Sequence, residues 1–420
     1  MFFFTTLVFR KANNQIGNMK KSWLIACFSN FFIAALMGLL LRFLYLTPID
    51  TVNFQFLLHG HSHVAMLGWL YLILYCLLVH FYIPKEQQNN AVLNRLFWIT
   101  ELAVIGMMVR FPVEGYALLS IVFSTLHIFC SYYFSYLIWK KTVFQSDQEK
   151  KLVRTALIFM IISTFGVWVL GPAVGMLGKA SAFFQIAIQF FLHFQFNGWF
   201  LIAVLVLFLS QLSLKIPPAI FRKFYILLLI ATVFTLTLPV SWYLKHSVFY
   251  WINLFGVLLQ AVAFYYLIKG VGYEFAVLFQ KLPVLEKSIY IFTFGSLAVK
   301  IGIQLLTFIP EITVVSHQIR NFVIGFIHLN MLGIITGMVF IILIKIKLLP
   351  THSLFAKTGI ILFFASYLIT EVILFSKGVF IYFGSPLLSQ ATPILFAASI
   401  GLPLSILCII SSIIKTKQSL

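Results

Sequence analysis

Leu58-His59-Gly60-His61-Ser62-His63-Val64-Ala65-Met66-Leu67-Gly68-Trp69 carries three histidines into an apolar run that holds no charge as far as Val79. Histidine inside a membrane helix is costly, so three together mark a site. Two later stretches repeat the pattern of a histidine, four residues and a glycine. These are His193-Phe194-Gln195-Phe196-Asn197-Gly198-Trp199 and His328-Leu329-Asn330-Met331-Leu332-Gly333. The motif therefore recurs at a nearly constant interval, from 63 to 193 to 328, which a lone histidine would not do.

The surroundings of the motif decide the class. Of the 420 residues 62% are hydrophobic and 9% charged, and the mean hydropathy is +1.04. A soluble domain of that composition would expose large apolar patches, so the sequence reads as a polytopic, all-α membrane protein. Net charge +19 in such a chain points to loop lysines that meet anionic lipid and set topology, not to nucleic acid. Cys27, Cys76, Cys130 and Cys408 all fall in apolar segments without a CxxC pair, which excludes a thiolate metal frame and leaves them as core filler. Met19-Lys20-Lys21, just before the first apolar run, is a second plausible start beside Met1, and the first span reads as an uncleaved helix.

Windows of about 20 residues, the length that crosses ~30 Å of hydrocarbon, give twelve apolar segments. They lie near 22–46, 54–82, 92–109, 115–139, 155–174, 182–211, 221–243, 247–268, 288–309, 321–344, 358–376 and 390–414. Charge checks the count independently, because positive loops stay in the cytoplasm. With the N-terminus inside, the outer loops hold only Arg110, Lys179, Lys245, Arg320 and Lys377. Arg42 ends the first span and Lys300 lies in the ninth. The rest of the 29 Lys and Arg fall on the inner side. The expectation is an inner-membrane protein with both termini cytoplasmic: an N-terminal segment 1–21, one membrane domain 22–414 and a tail 415–420. Pro217-Pro218, 269–287 and 347–357 read as inner connections, the second lying along the surface as an amphipathic helix.

This topology gives the three motifs one address. The second, sixth and tenth spans all enter from the outer face, and His63, His193 and His328 lie about ten residues in, roughly 15 Å deep. The period is four spans, so the chain reads as three pseudo-repeats of four helices, 22–140, 152–268 and 287–414. Imidazoles at one depth on facing helices are what a haem or a transition metal in a bundle requires. His59, His63, His193 and His328 are the candidate cofactor ligands, and His61, His63, His193 and His328 the candidate metal ligands. His59 and His63, four apart, share a helix face, whereas His61 points away from them, so one of the three is a supporting or surface group. Gln55, Gln195, Asn197 and Asn330 lie in the same layer and can hold an imidazole N–H in one tautomer. Each glycine leaves room for a neighbouring helix or a flat ligand against the backbone.

On twelve spans, internal termini and histidines on spans two, six and ten, the chain resembles the catalytic subunit I of the haem–copper oxidase superfamily, which includes nitric oxide reductases. The His-x-His-x-x-Met-Leu-Gly stretch is also similar to the histidine motif of the NnrS family of membrane haem proteins. The resemblance implies a haem b clamped between His63 (or His59) and a span-ten histidine, with His193 as a copper ligand, in an oxidoreductase handling nitric oxide or oxygen. It is partial. His328-Leu329-Asn330 stands where the family has His-x-His, and the seventh span has no histidine, so a three-His copper site cannot be built. One haem or one metal site, with a partner subunit or electron donor in the membrane, is the expectation. A secondary transporter and a cofactor-less sensing or assembly component are the alternatives.

Other residues are weighed against simpler roles. His80 and His127 read as helix–helix hydrogen bonds, and His246, His317 and His352 as solvated span ends. Arg42, Arg110 and Arg320 are propionate candidates that could equally snorkel to head groups. Lys300 could serve a proton path, or pair with Glu371. No Walker loop, HExxH or nucleophile elbow is present, which argues against phosphate-driven transport and common hydrolase chemistry.

Overall fold

The computed structural model describes residues 19–212, 216–384 and 388–415, all helix and loop with no strand among them. Most of the expected N-terminal segment, 1–18, and the tail beyond 415 lie outside the described residues. Twelve helices are long and apolar enough to cross a membrane. They are α1 (Lys21–Phe43), α2 (Phe54–Tyr82), α3 (Ala91–Glu114), α4 (Leu118–Lys141), α5 (Asp147–Leu177), α6 (Ala182–Gln211), α7 (Pro218–Ser241), α8 (Ser247–Gln280), α9 (Val284–Leu306), α10 (Arg320–Lys345), α11 (Leu354–Tyr382) and α12 (Ala391–Lys415). In hydrocarbon every backbone group must be satisfied within its own segment, so apolar runs of this length form helices. Their ends follow local chemistry. Asn53, Asn90, Ser146 and Ser181 accept from backbone N–H groups at the starts of α2, α3, α5 and α6. Gly115, with φ 62°, closes α3 in a conformation that a side chain would strain.

Burial separates two classes of helix. The most apolar windows of α2, α6 and α10 are 83%, 83% and 78% buried, against 33–50% for the other nine. The same three touch one another pairwise, and the rest lie around them in neighbouring sets: α3 on α4, α7 on α8, α11 on α12, and α12 on α1. The helices that carry the histidine motifs are therefore the centre of the bundle.

Each central helix also changes its winding at the motif. Immediately after His63, His193 and His328 the backbone becomes π-helical, over Val64–Tyr71, Phe194–Phe200 and Leu329–Thr336. A π-turn bonds residue i to i+5, so it brings the motif glycine under its histidine and leaves carbonyls in need of partners. Asn30 of α1 donates to Gly68 O at 3.2 Å. Thr336 donates to Met331 O at 2.8 Å and accepts from Trp69 Nε1 at 3.0 Å, which ties α2 to α10. At the motif glycines neighbours approach closely. A Cβ at Gly68 would stand 2.8 Å from Val104, at Gly198 2.6 Å from Phe159 and at Gly333 2.7 Å from the Tyr367 hydroxyl. Of the two uses expected for these glycines, the space is filled by adjoining helices.

The 269–287 connection differs from expectation. α8 continues unbroken through Gly270 and Gly272 to Gln280 instead of giving way to a separate surface helix. Gly270 explains part of this, because its missing side chain admits Ile216 and Ile220 of the α6–α7 junction and holds the extension against the bundle.

Candidate functional site

The ten-residue start of α2 directs its histidines two ways. His61 Nδ1 lies 2.8 Å from Ala34 O of α1. A carbonyl can only accept, so Nδ1 carries the proton and Nε2 keeps its lone pair. The ring lies against Gly38, where a Cβ would come within 2.9 Å of His61 Cε1; Ala34 and Gly38, four apart, make a small-residue face that seats it. His63 faces elsewhere. Its Nδ1 donates to His59 O at 2.9 Å, and its ring packs on Phe111 and Tyr116 with centroids 4.2 and 5.8 Å away. His59 lies beside Gln55, with Nε2 to Nε2 at 3.4 Å, and edge-on to Tyr116 at 4.6 Å.

His328 of α10 is the histidine of another helix whose charge His61 feels. The two rings and Arg42 are close enough to feel one another's charge, and Arg42 also lies within electrostatic range of Glu371. Arg42 donates to Ser399 Oγ of α12. His328 Nδ1 faces Glu371 Oε1 of α11 at 3.5 Å, longer than a good hydrogen bond, and both carboxyl oxygens are buried without a hydrogen-bond partner. His328 keeps 22% of its side-chain surface uncovered although it lies well inside a span. α1, α2, α10, α11 and α12 thus bring two imidazoles, one guanidinium and one carboxylate to a single cluster.

His193 has a different environment. Nε2 donates to Thr232 O of α7 at 2.7 Å, and Asn197 Nδ2 stands 3.4 Å from Nδ1. Lys300 of α9 donates to Asn197 Oδ1 at 2.7 Å, which fixes that amide's orientation. With both ring nitrogens engaged, His193 has no free lone pair for iron or copper.

The expected convergence of His63, His193 and His328 on one pocket is therefore not formed, because each imidazole has its own set of partners. No group of three or more His, Cys, Asp or Glu among the described residues could hold a metal ion, so the metal-ligand set His61, His63, His193 and His328 does not assemble. Of the supporting amides, Gln55 and Asn197 contact a histidine, whereas Gln195 donates to Ser163 Oγ and Asn330 to Phe326 O. Of the propionate candidates, only Arg42 joins the histidine cluster. Arg110 pairs with Glu114 at 2.7 Å, and the Arg320 guanidinium sits 5.1 Å above the Phe54 ring. Lys300 and Glu371, weighed as a pair, belong to separate clusters. Sequence reasoning missed Ser399 and the Ala34 carbonyl; the Ala34-x-x-x-Gly38 spacing on α1 is the signal that marks the second.

No protein-family model matches the chain, and no curated protein matches it.

Proposed function

We propose that the protein is a membrane haem protein whose iron is held between His61 of α2 and His328 of α10. The observation that carries this reading is the mutual placement of these two imidazoles. They lie on touching helices and within electrostatic range. Each has Nδ1 turned to an oxygen, Ala34 O or Glu371 Oε1, which favours a proton there and the lone pair on Nε2. Two nitrogens suit a planar iron cofactor and fall short of a tetrahedral metal site.

The donor set fits such a group in three further respects. The uncovered surface of His328, the unpartnered Glu371 oxygens and the adjacent Arg42 supply space, an anchor for one ring and a cation for a propionate. A haem held by these two side chains would supply one-electron transfer. That favours a redox relay over binding of nitric oxide or oxygen, which needs an open iron position. In this reading Ala34 and Glu371 orient the two rings, and Arg42 with Ser399 fixes the cluster to α12.

The chain is read as three four-helix units, each with its second helix central, arranged as in the haem–copper oxidase subunit I resemblance. Three motifs at one depth, three π-segments beginning at the residue after each motif histidine, and three mutually touching central helices support that reading. Against the copper function of that family stands α7, which meets His193 with the Thr232 carbonyl in place of an imidazole.

The test is the visible spectrum of the full chain purified from haem-replete cells. A Soret band is expected, abolished or shifted by His61→Ala and by His328→Ala, and kept by His193→Ala and His127→Ala. A colourless wild-type protein, or a band that survives both of the first two changes, sinks the proposal and leaves a secondary carrier as the better account.

A further inference from the structure

A cleft of about 500 Å³ opens where α4 ends and α5 begins, lined by Trp139, Lys140, Thr142, Phe144, Gln145, Ser146, Asp147, Lys150 and Arg154. We infer that it binds the head group of an anionic phospholipid. The volume falls in the range of small-molecule sites, and three cations face one carboxylate across it. Glu149, the other nearby acid, is turned to Gln145 N and Ser210 Oγ, both at 3.0 Å. Among the described residues the ion pairs are Arg110–Glu114, His328–Glu371 and Lys345–Glu286, so none of Lys140, Lys150 and Arg154 has an acidic partner within salt-bridge distance.

Arg154 is the central group. Its guanidinium lies 4.4 Å from the centre of the Trp139 ring, and its Nε is buried without a hydrogen-bond acceptor. A stacked guanidinium with unused donors is pre-organised for a phosphate oxygen. The cleft lies at the end of the bundle where the loop lysines concentrate, the end expected to face the anionic leaflet. Tyr133, Tyr136 and Trp139 on α4 and Ile158, Ile161 and Phe165 on α5 are exposed at helical spacing, an apolar surface along which acyl chains can lie. A head group in the cleft with its tails on those faces satisfies charge and hydrocarbon together, which a free anion would not.

Native mass spectrometry of the full chain in neutral detergent, titrated with dioleoyl phosphatidylglycerol, tests this, with dioleoyl phosphatidylcholine and inorganic phosphate as separate arms. One tightly held phosphatidylglycerol is expected, preferred at least tenfold over phosphatidylcholine and not displaced by millimolar phosphate. Lys150→Gln with Arg154→Gln should weaken it tenfold or more, and Lys151→Gln should leave it unchanged. Should the Arg154 change unfold the protein, Lys140→Gln with Lys150→Gln leaves the Trp139 stack intact and should weaken binding at least threefold. Equal affinity for the two lipids, displacement by phosphate, or wild-type binding by the folded variants overturns the inference.

Discussion

At the scale of single residues, a buried polar group that depends on one partner is sensitive to its loss. Lys300 is fully buried and donates to Asn197 Oδ1 at 2.7 Å. A hydrogen bond to a charged group is worth about 1.5–3 kcal/mol, and a buried donor left unmade costs a similar amount. Asn197→Ala should therefore lower stability by about 2 kcal/mol, measured as thermal unfolding in detergent. Adding Lys300→Met should restore much of that, because an apolar side chain of similar length needs no acceptor. Wild-type stability in Asn197→Ala would show that Lys300 does not depend on this amide. Periodicity was informative here only up to a point. The spacing of His59, His61 and His63 assigns the first and third to one face and the second to another. Which face meets α10 depends on how α2 is rotated about its axis, and His61 is seated by Ala34 and Gly38 of the preceding helix α1, outside the span that carries the motif.

At the scale of elements, the histidine-to-glycine spacing was legible on α2, α6 and α10, and the π-winding was not. On α2 the Gly68 carbonyl is capped by Asn30 of α1, a partner that cannot be read from α2's own residues, whereas on α10 Thr336 caps Met331 from within the same helix. The motif glycines should tolerate a side chain poorly. Gly198→Val would drive a side chain into Phe159, which a Cβ alone already approaches to 2.6 Å, and overpacking of this kind costs about 1–3 kcal/mol. Gly171→Ala, with nothing within 4 Å of the new Cβ, should leave thermal unfolding unchanged. Equal loss in both variants would remove the close packing at Gly198 as the reason for the motif glycine.

At the scale of the whole molecule, the asymmetry of charge predicts orientation. Single cysteines placed at Lys85 and Lys281 should react with an impermeant maleimide only after cell lysis, whereas those at Lys179 and Lys245 should react in intact cells. The native cysteines do not confuse this experiment, since Cys27, Cys76 and Cys130 are buried and Cys408 lies within α12. Labelling of the first pair in intact cells would invert the topology and move the α4–α5 cleft to the opposite leaflet. The same burial that shields these thiols distinguishes α2, α6 and α10 from the nine helices around them. Hydropathy hardly anticipates that distinction, because their values of 2.1, 1.9 and 2.3 overlap those of the peripheral helices.

By itself the sequence determined twelve membrane-length apolar helices, and it carries the expectation of an orientation and of one depth for three histidine motifs. A bilayer is ordered along one axis, and apolar length and loop charge report position along that same axis. The tertiary structure alone decided what lies beside what: that His61 comes within electrostatic range of His328, that Arg42 and Glu371 join them, and that His193 is tied to Thr232 and Asn197. Lateral position and helix rotation are settled by packing between segments from about 27 to more than 260 residues apart, and no local pattern in the chain encodes them.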